Sequence, residues 1–239
     1  MIDLHSHVLP GLDDGSPDLE SSLAICRMAA ADGISAMVAT PHYRNGVGVR
    51  DPAVIPPAAG KLRAALAEQG IPLDIHFAIE MPLLENFLEL YLDGTWLAYD
   101  SARRYILLEC PPFPAHGAQI LSRIVDTLLR AGAVPVLAHP ERLPFLDDIG
   151  DAAYLRRQGA LFQVTAGALA MHSSSGHRAR AWLDRGIVSF VATDTHGVDR
   201  RPPLLSPARD FIRERCGSAA AEALTQTNPA KLLAGEPID

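Results

Sequence analysis

Lysine is almost missing from this chain. Lys61 and Lys231 are the only two, and arginine supplies the rest of its 21 basic residues. Against 28 acidic residues they leave a net charge of -7. No basic run is present to neutralise a polynucleotide backbone, which excludes a nucleic-acid partner. Cysteine is equally scarce: Cys26, Cys110 and Cys216 are odd in number, widely spaced and form no CxxC. That pattern gives no disulfide framework and fits a reducing compartment. No apolar stretch approaches the roughly 20 residues that span a bilayer, so no membrane insertion is expected. Residues 2–7 read as a strand that already carries reactive side chains, which leaves no leader to cleave and predicts a cytoplasmic location. Neither a GxGxxG nor a Gly-rich phosphate loop follows that strand, which removes the usual reason to expect a dinucleotide fold.

What is present alternates. Strand character falls at 2–7, 34–40, 73–80, 105–109, 134–138, 161–165 and 188–193. Helical patterns lie between, near 18–32, 57–69, 83–92, 116–131, 150–158 and 177–185, with two more at 205–215 and 219–226. Several helices close on a glycine just ahead of the next strand, as at Gly33, Gly70, Gly132, Gly159 and Gly186. Strand then helix, seven times over, calls for a parallel sheet with helical crossovers. With 239 residues and 48% of them apolar, one globular domain over 1–239 is expected.

The choice between an open sheet and a closed barrel rests on where the reactive residues stand. The first strand ends in His5 and His7, with Asp14 in the loop beyond. His42 follows the second strand, Glu80 the third, Glu109 the fourth and His139 the fifth. The sixth offers no ligand, and the seventh gives Asp194 and His196. Strands at opposite edges of an open sheet could not share a site, whereas all strand ends of a barrel converge on one mouth. In His5-Ser6-His7 and Asp194-Thr195-His196 the alternation of a strand places both outer side chains on one face. Imidazoles with carboxylates and no thiolate suit Zn, Mn or Fe rather than Ca. Nine ligands exceed one ion and supply about three to each of three, if a carboxylate bridges. His76, His116, His172 and His177 fall inside a strand or in loops and helix starts, and are assigned no chemistry. Asp13 is read as a turn residue of the segment 10–15 in preference to a partner of a ligand.

In combination these motifs resemble the polymerase-and-histidinol-phosphatase (PHP) superfamily. Within it the chain is similar to the bacterial manganese-dependent tyrosine phosphatases encoded with capsule and exopolysaccharide genes, the CpsB/CapC-like group. The resemblance is carried by Asp3-Leu4-His5-Ser6-His7, Gly11-Leu12-Asp13-Asp14-Gly15 and Thr40-Pro41-His42. Glu80, Leu107-Leu108-Glu109, His139-Pro140-Glu141-Arg142, Thr193-Asp194-Thr195-His196, Arg201-Pro202-Pro203 and Asn228-Pro229 continue it, essentially end to end. It implies a distorted (β/α)7 TIM-like barrel holding three divalent ions, manganese foremost, with iron or zinc as alternatives. By the same resemblance His5, His7, Glu80 and Asp194 hold the first ion, and Glu80 bridges to a second beside Glu109 and His139. Asp14, His42 and His196 hold the third, and Arg142 and Arg201 contact the phosphate. The chain departs from the group at Ala78, where glycine is common before the bridging glutamate. It departs again at 166–177, which is shorter and carries Ser173-Ser174-Ser175 in place of a more basic stretch.

Three functions are then expected in order of weight. The first is a protein-tyrosine phosphatase acting on the tyrosine-rich tail of a polysaccharide-assembly kinase, with a hydroxide bridging two metals as nucleophile. The second is a small-molecule phosphatase of histidinol-phosphate type, and the third a non-catalytic subunit that binds phosphotyrosine. None of the three cysteines has arginine at the Cys-x5-Arg spacing, which excludes a cysteine-nucleophile phosphatase. Three rim loops, 43–51, 111–116 and 166–177, are candidates for contacting a ring or peptide.

Overall fold

The structure is a computed structural model and describes residues 1–43, 46, 48–113 and 116–238. The elements run β1 (Ile2–Ser6), α1 (Leu19–Ala31), β2 (Ala36–Ala39), α2 (Ile55–Glu68), β3 (Asp74–Phe77), β4 (Glu80–Pro82), α3 (Phe87–Leu92) and β5 (Tyr105–Glu109). They continue with α4 (Gly117–Arg130), β6 (Val134–Ala138), α5 (Ile149–Gln158), β7 (Leu161–Thr165), α6 (Ala166–Ala170), α7 (Ser174–Asp184) and β8 (Phe190–Ala192). The chain ends in α8 (Ser206–Cys216), α9 (Ser218–Glu222), a π-helical turn over 223–227 and α10 (Asn228–Leu233).

All strand pairs are parallel, in the orders β1-β2-β3 and β4-β5-β6-β7-β8. Two seams join these sheets into a ring. At one, the backbone itself passes from β3 to β4 through Ala78 and Ile79, and His42 forms a bridge to Glu80. The expected single strand over 73–80 is thus two short ones. The Ile79 amide leaves the sheet to donate to the Leu97 carbonyl (3.2 Å), while the Glu80 amide donates to Pro41 (3.2 Å). At the other seam, the Asp194 amide donates to the His5 carbonyl (3.0 Å) and the His7 amide to Thr195 (2.9 Å).

The packing follows the same closure. The apolar residues on one face of β5 through β8, with Leu107, Val136, Leu161 and Phe190 among them, form one small cluster, joined by Ile2, Leu4, Ala36 and Val38. Leu232 of α10 plugs its base. The alternate residues, such as Ile106, Leu137, Phe162 and Val191, pack outward with the helices in a second, larger cluster. Strands buried on both faces are what a ring with helices outside requires. The fold is a distorted (β/α)7 barrel with the third stave broken.

Three helix starts, those of α1, α5 and α7, are set by short polar caps. Asp18 accepts from the Ser21 amide (2.8 Å), and Ser173 accepts from the Gly176 amide (3.2 Å). The serine-rich patch at 173–176 is therefore the start of α7, three residues ahead of the expected helix at 177. α6 fills part of what reads as loop in sequence.

Candidate metal centre

Four side chains meet at the floor of the barrel mouth. His5 Nε2 lies 3.2 Å from His7 Nε2, 3.2 Å from Glu80 Oε2 and 3.4 Å from Asp194 Oδ1. His7 Nε2 lies 3.3 Å from each of those oxygens. All four residues are buried. Two strand-end pairs from β1 and the segment after β8 deliver three of them, and the start of β4 delivers Glu80 between them.

From Glu80 the cluster widens toward solvent. His139 Nε2 meets Glu80 Oε1 at 3.0 Å and Glu109 Oε1 at 3.9 Å. His42 Nδ1 faces Glu80 Oε2 at 3.0 Å and Glu109 Oε2 at 3.8 Å. On the opposite flank, Asp14 Oδ1 stands 3.7 Å from His42 Nε2 and 3.5 Å from His196 Nε2. Donor atoms close enough to share one ion come from His5, His7 and Glu80, from His42, Glu80 and Glu109, and from His7, Asp14, His42 and His196. All nine expected ligands are thus brought into one continuous patch, open at Asp14 and Glu109 and sealed at His5.

Two atoms test whether this patch suits cations. His42 Nδ1 and Glu80 Oε2 are buried and make no hydrogen bond, although they face each other. Orphaned lone pairs of this kind are costly in a protein interior unless something takes them up. A divalent ion would use both, so the residues fit a metal.

The ligand rings are held from behind. The Nδ1 of His5 pairs with Gln163 Oε1 at 2.8 Å, and the Gln163 amide nitrogen is engaged by the Val164 carbonyl (3.1 Å). His7 Nδ1 pairs with Asp13 Oδ2 at 2.6 Å. Each partner accepts a hydrogen bond from Nδ1–H and so turns Nε2 toward the site as the atom that can bind a cation. Asp13 also receives the amides of Gly15 (3.0 Å) and His42 (3.1 Å). The turn reading of Asp13 is therefore incomplete, because the residue shapes the loop and aligns a ligand together. Gln163 stands on β7, the strand that offers no ligand of its own. Its trace in the sequence is a lone amide inside the apolar run Leu161-Phe162-Gln163-Val164. Asp3 is a further buried contributor: it takes the amides of Thr193 (2.9 Å) and His5 (3.4 Å) and the Thr193 hydroxyl (2.5 Å), tying β1 to the end of β8.

Arg142 and Arg201 converge on the outer oxygen of Asp194. Arg142 Nη2 and Arg201 Nη1 each donate to Asp194 Oδ2 at 2.6 Å, and Arg142 Nη2 also reaches the Thr165 hydroxyl at 3.1 Å. Asp194 thereby holds the histidine pair with one oxygen and both arginines with the other. Five non-glycine residues among those described have left-handed backbone, and three are His139, Asp194 and Arg201. Such conformations cost about 1–3 kcal/mol each and collect at functional sites.

The electrostatics are those of a site built around positive charge. Burial disfavours the imidazolium of His5, but the charges of Glu80 and Asp194 overcome it and raise the pKa. Burial likewise opposes charge on His7, yet its hydrogen bond to Asp13 and the neighbouring carboxylates of Asp194 and Glu80 hold it well above the usual histidine value. Glu80 and Asp194 stay well below the usual carboxylate range despite burial, chiefly through the charge on His5. His196 moves the other way, to about 4, through burial and the neighbouring charge of His7. Protons on His5 and His7 sit where cations would otherwise balance the two carboxylates.

His76, His116, His172 and His177 are exposed and join none of the ligand groups among the described residues. Of the rim loops, 43–51 and 111–116 include residues 44, 45, 47, 114 and 115, which lie outside the described residues. The third, 166–177, lines a cleft of about 590 Å³ beside the two arginines.

A parallel barrel whose mouth gathers histidines, carboxylates and two arginines defines a metal-dependent hydrolase of anionic esters. Comparison with known proteins narrows this. Residues 1–234 match the family described as capsular polysaccharide synthesis, CpsB/CapC, and the chain belongs to that family. It is 32% identical over 243 residues to the tyrosine-protein phosphatase YwqE of Bacillus subtilis (strain 168), covering 100% of this chain and 93% of the relative. It is 28% identical to the tyrosine-protein phosphatase CpsB of Streptococcus pneumoniae, with both chains covered completely. Among solved structures, one described as YwqE and CpsB, metal-dependent tyrosine phosphatases, superposes with a TM-score of 0.89 at 30% identity, covering 100% of this chain and 96% of that one. The phosphotriesterase homology protein of Escherichia coli shares the fold, with a TM-score of 0.62 at 14% identity and coverage of 97% and 98%.

Proposed function

We propose that this chain is a metal-dependent protein-tyrosine phosphatase of capsule or exopolysaccharide synthesis, acting on the tyrosine-phosphorylated tail of a bacterial kinase. The observation that carries the reading is the double use of Asp194. One oxygen faces His5 and His7 within 3.4 Å, and the other receives Arg142 and Arg201 at 2.6 Å. Ligand cluster and anion-binding arginines are thereby locked at one distance from each other, in a chain whose full-length relatives are tyrosine phosphatases.

In this reading His5, His7, Glu80 and Asp194 would hold one ion, Glu80, Glu109 and His139 a second, and Asp14, His42 and His196 a third. Manganese suits such a mixed nitrogen and oxygen set, as do iron and zinc. Bound divalent ions supply a water acidified toward neutrality and charge to offset the phosphoryl oxygens. Each guanidinium has five N–H donors; Arg142 uses Nη2 on Asp194 and Thr165, and Arg201 uses Nη1 on Asp194. The remaining donors of the two forks take the non-bridging phosphoryl oxygens and favour the charge that builds in the transition state. A phenolate, with a pKa of about 10, leaves with less proton assistance than an alkoxide. Among the three expected readings, the relatives support the first over a histidinol-phosphate enzyme or a non-catalytic subunit.

The test is hydrolysis of a phosphotyrosine peptide, a phosphoserine peptide and histidinol phosphate side by side with added Mn, alongside elemental analysis. Preference for phosphotyrosine with more than one ion per chain is expected. Efficient turnover of histidinol phosphate with feeble action on phosphotyrosine overturns the substrate, and one ion with His42 and His196 unliganded overturns the three-metal centre.

A further inference from the structure

The cleft beside the arginines is apolar and belongs to no part of the metal centre. Its inner wall is Arg142, Arg201 and Thr193, and its sides are α6 and the start of α8, with Leu169, Pro207 and Phe211 among the lining residues. No residue of the nine-ligand set lines it. Met171 and Leu204 stand at its edge, 56% and 39% exposed, and are two of seven large apolar side chains left exposed among the described residues. Exposed apolar surface gathered around one concavity marks a binding surface more often than chance exposure does.

Its position selects the occupant. In the proposed reaction the attack on phosphorus comes from the side of the ligand cluster, so the phenol oxygen departs on the opposite side, toward the open mouth. The cleft is set to one side of the ligand cluster, since Arg142 and Arg201 line it and none of the nine ligands does. The ring that carries the phosphate follows the line of departure, while the peptide continues across the rim. Consecutive Cα atoms are about 3.8 Å apart, and a neighbouring side chain turned back toward the barrel can enter the space beside the arginines. A volume of about 590 Å³ accepts a large side chain, and away from the arginines the walls are mainly apolar, with Leu169, Met171, Leu204, Pro207 and Phe211 among them.

We infer that this cleft is a specificity subsite for an apolar side chain flanking the phosphotyrosine. The inference rests on Arg142 and Arg201 holding the phosphoryl group. The departure at 166–177 then has a consequence, since this segment supplies α6 and one wall of the cleft in place of a basic stretch.

Gly167 gives the means to test it. The residue lines the cleft, and a Cβ added there meets nothing within 4 Å. Gly167→Trp therefore introduces a large ring at a lining position where the Cβ itself is unobstructed, and Leu204→Glu is a second variant at an exposed position. Two phosphotyrosine peptides of equal length are compared, one with leucine and one with serine on either side of the tyrosine, with 4-nitrophenyl phosphate as a substrate that lacks flanks. The native chain should favour the leucine peptide by about tenfold or more in kcat/KM, through KM. Both variants should bring that ratio near one, and lose more on the leucine peptide than on 4-nitrophenyl phosphate. A native ratio near one overturns the subsite, as does a variant that keeps the native ratio. Equal losses on 4-nitrophenyl phosphate and the leucine peptide show that the ring itself occupies the cleft, which also overturns it. Peptide binding measured by calorimetry separates the two readings. Absence of turnover with the leucine preference intact in binding sinks the phosphatase reading and keeps the subsite.

Discussion

Asp194 shows how much one residue can coordinate here. Its two oxygens divide between imidazoles and guanidiniums, so it links the site that would hold metal to the site that would hold phosphate. Alanine at Arg142 or Arg201 should lower turnover by roughly a hundredfold or more, the order seen when an anion-stabilising donor is removed. Metal content should stay at the native level, because neither arginine offers a ligand atom. Native kinetics in both variants would show instead that the pair serves only to brace Asp194. The raised pKa values of His5 and His7 carry a second expectation. A proton on either Nε2 must leave before a cation can bind, so ions and protons compete. The sign follows directly: metal affinity climbs with pH and keeps climbing above the ordinary histidine value of about 6.5. Calorimetry between pH 6 and 8, in two buffers of different ionisation enthalpy, should detect proton release on binding. A pH-independent affinity would contradict the charge balance described above.

At the scale of elements, the loops after β1 and β2 matter more than the strands. Gly15 packs so closely that a Cβ would stand 2.1 Å from the His7 carbonyl oxygen and 2.4 Å from its Cβ. No side chain fits there, and the close approach is what lets Asp13 reach the His7 ring while receiving the Gly15 amide. Gly15→Ala should therefore displace the loop, with a stability loss of about 1–3 kcal/mol by analogy with overpacked sites. It should weaken metal binding as well, since Asp14 moves with the loop. Thermal melts with and without Mn would separate these effects, and a variant that melts and binds as the native chain does would refute the role given to the turn. Gln163 makes the matching point on β7, where an element without a ligand still fixes a ligand's ring.

For the whole molecule, the apolar clusters inside and outside the ring are continuous and do not depend on the metal centre. Chelation should accordingly leave the barrel folded, with its far-ultraviolet dichroism unchanged. Added metal should still raise Tm, because it binds the folded state alone. At a hundred times Kd, one site contributes about 2.7 kcal/mol, which is roughly 5–11 °C for a chain of this size. Collapse on chelation would mean that the ions, rather than the core, close the seam between β1 and β8. Among the described residues no helix is long and apolar enough to cross a membrane.

The sequence alone determined the parts of this protein that depend on short range. Strand and helix alternation, the glycine stops and the side chain at each strand end are set by neighbours along the chain, and they suffice to foresee the barrel and to select the nine residues that the fold gathers. Even the broken third stave keeps Glu80 at the mouth. What only the tertiary structure decided are contacts between residues far apart. Gln163 meets His5 across 158 residues, and Asp3 meets Thr193 across 190. Neither pairing leaves a local pattern, because a buried polar partner is chosen by the geometry of closure and not by periodicity. Asp13 is the intermediate case, since its turn is local and its hold on His7 is not. The cleft beside the arginines is decided latest of all: it exists only where α6, α8 and the end of β8 come together, and no one of those segments announces it.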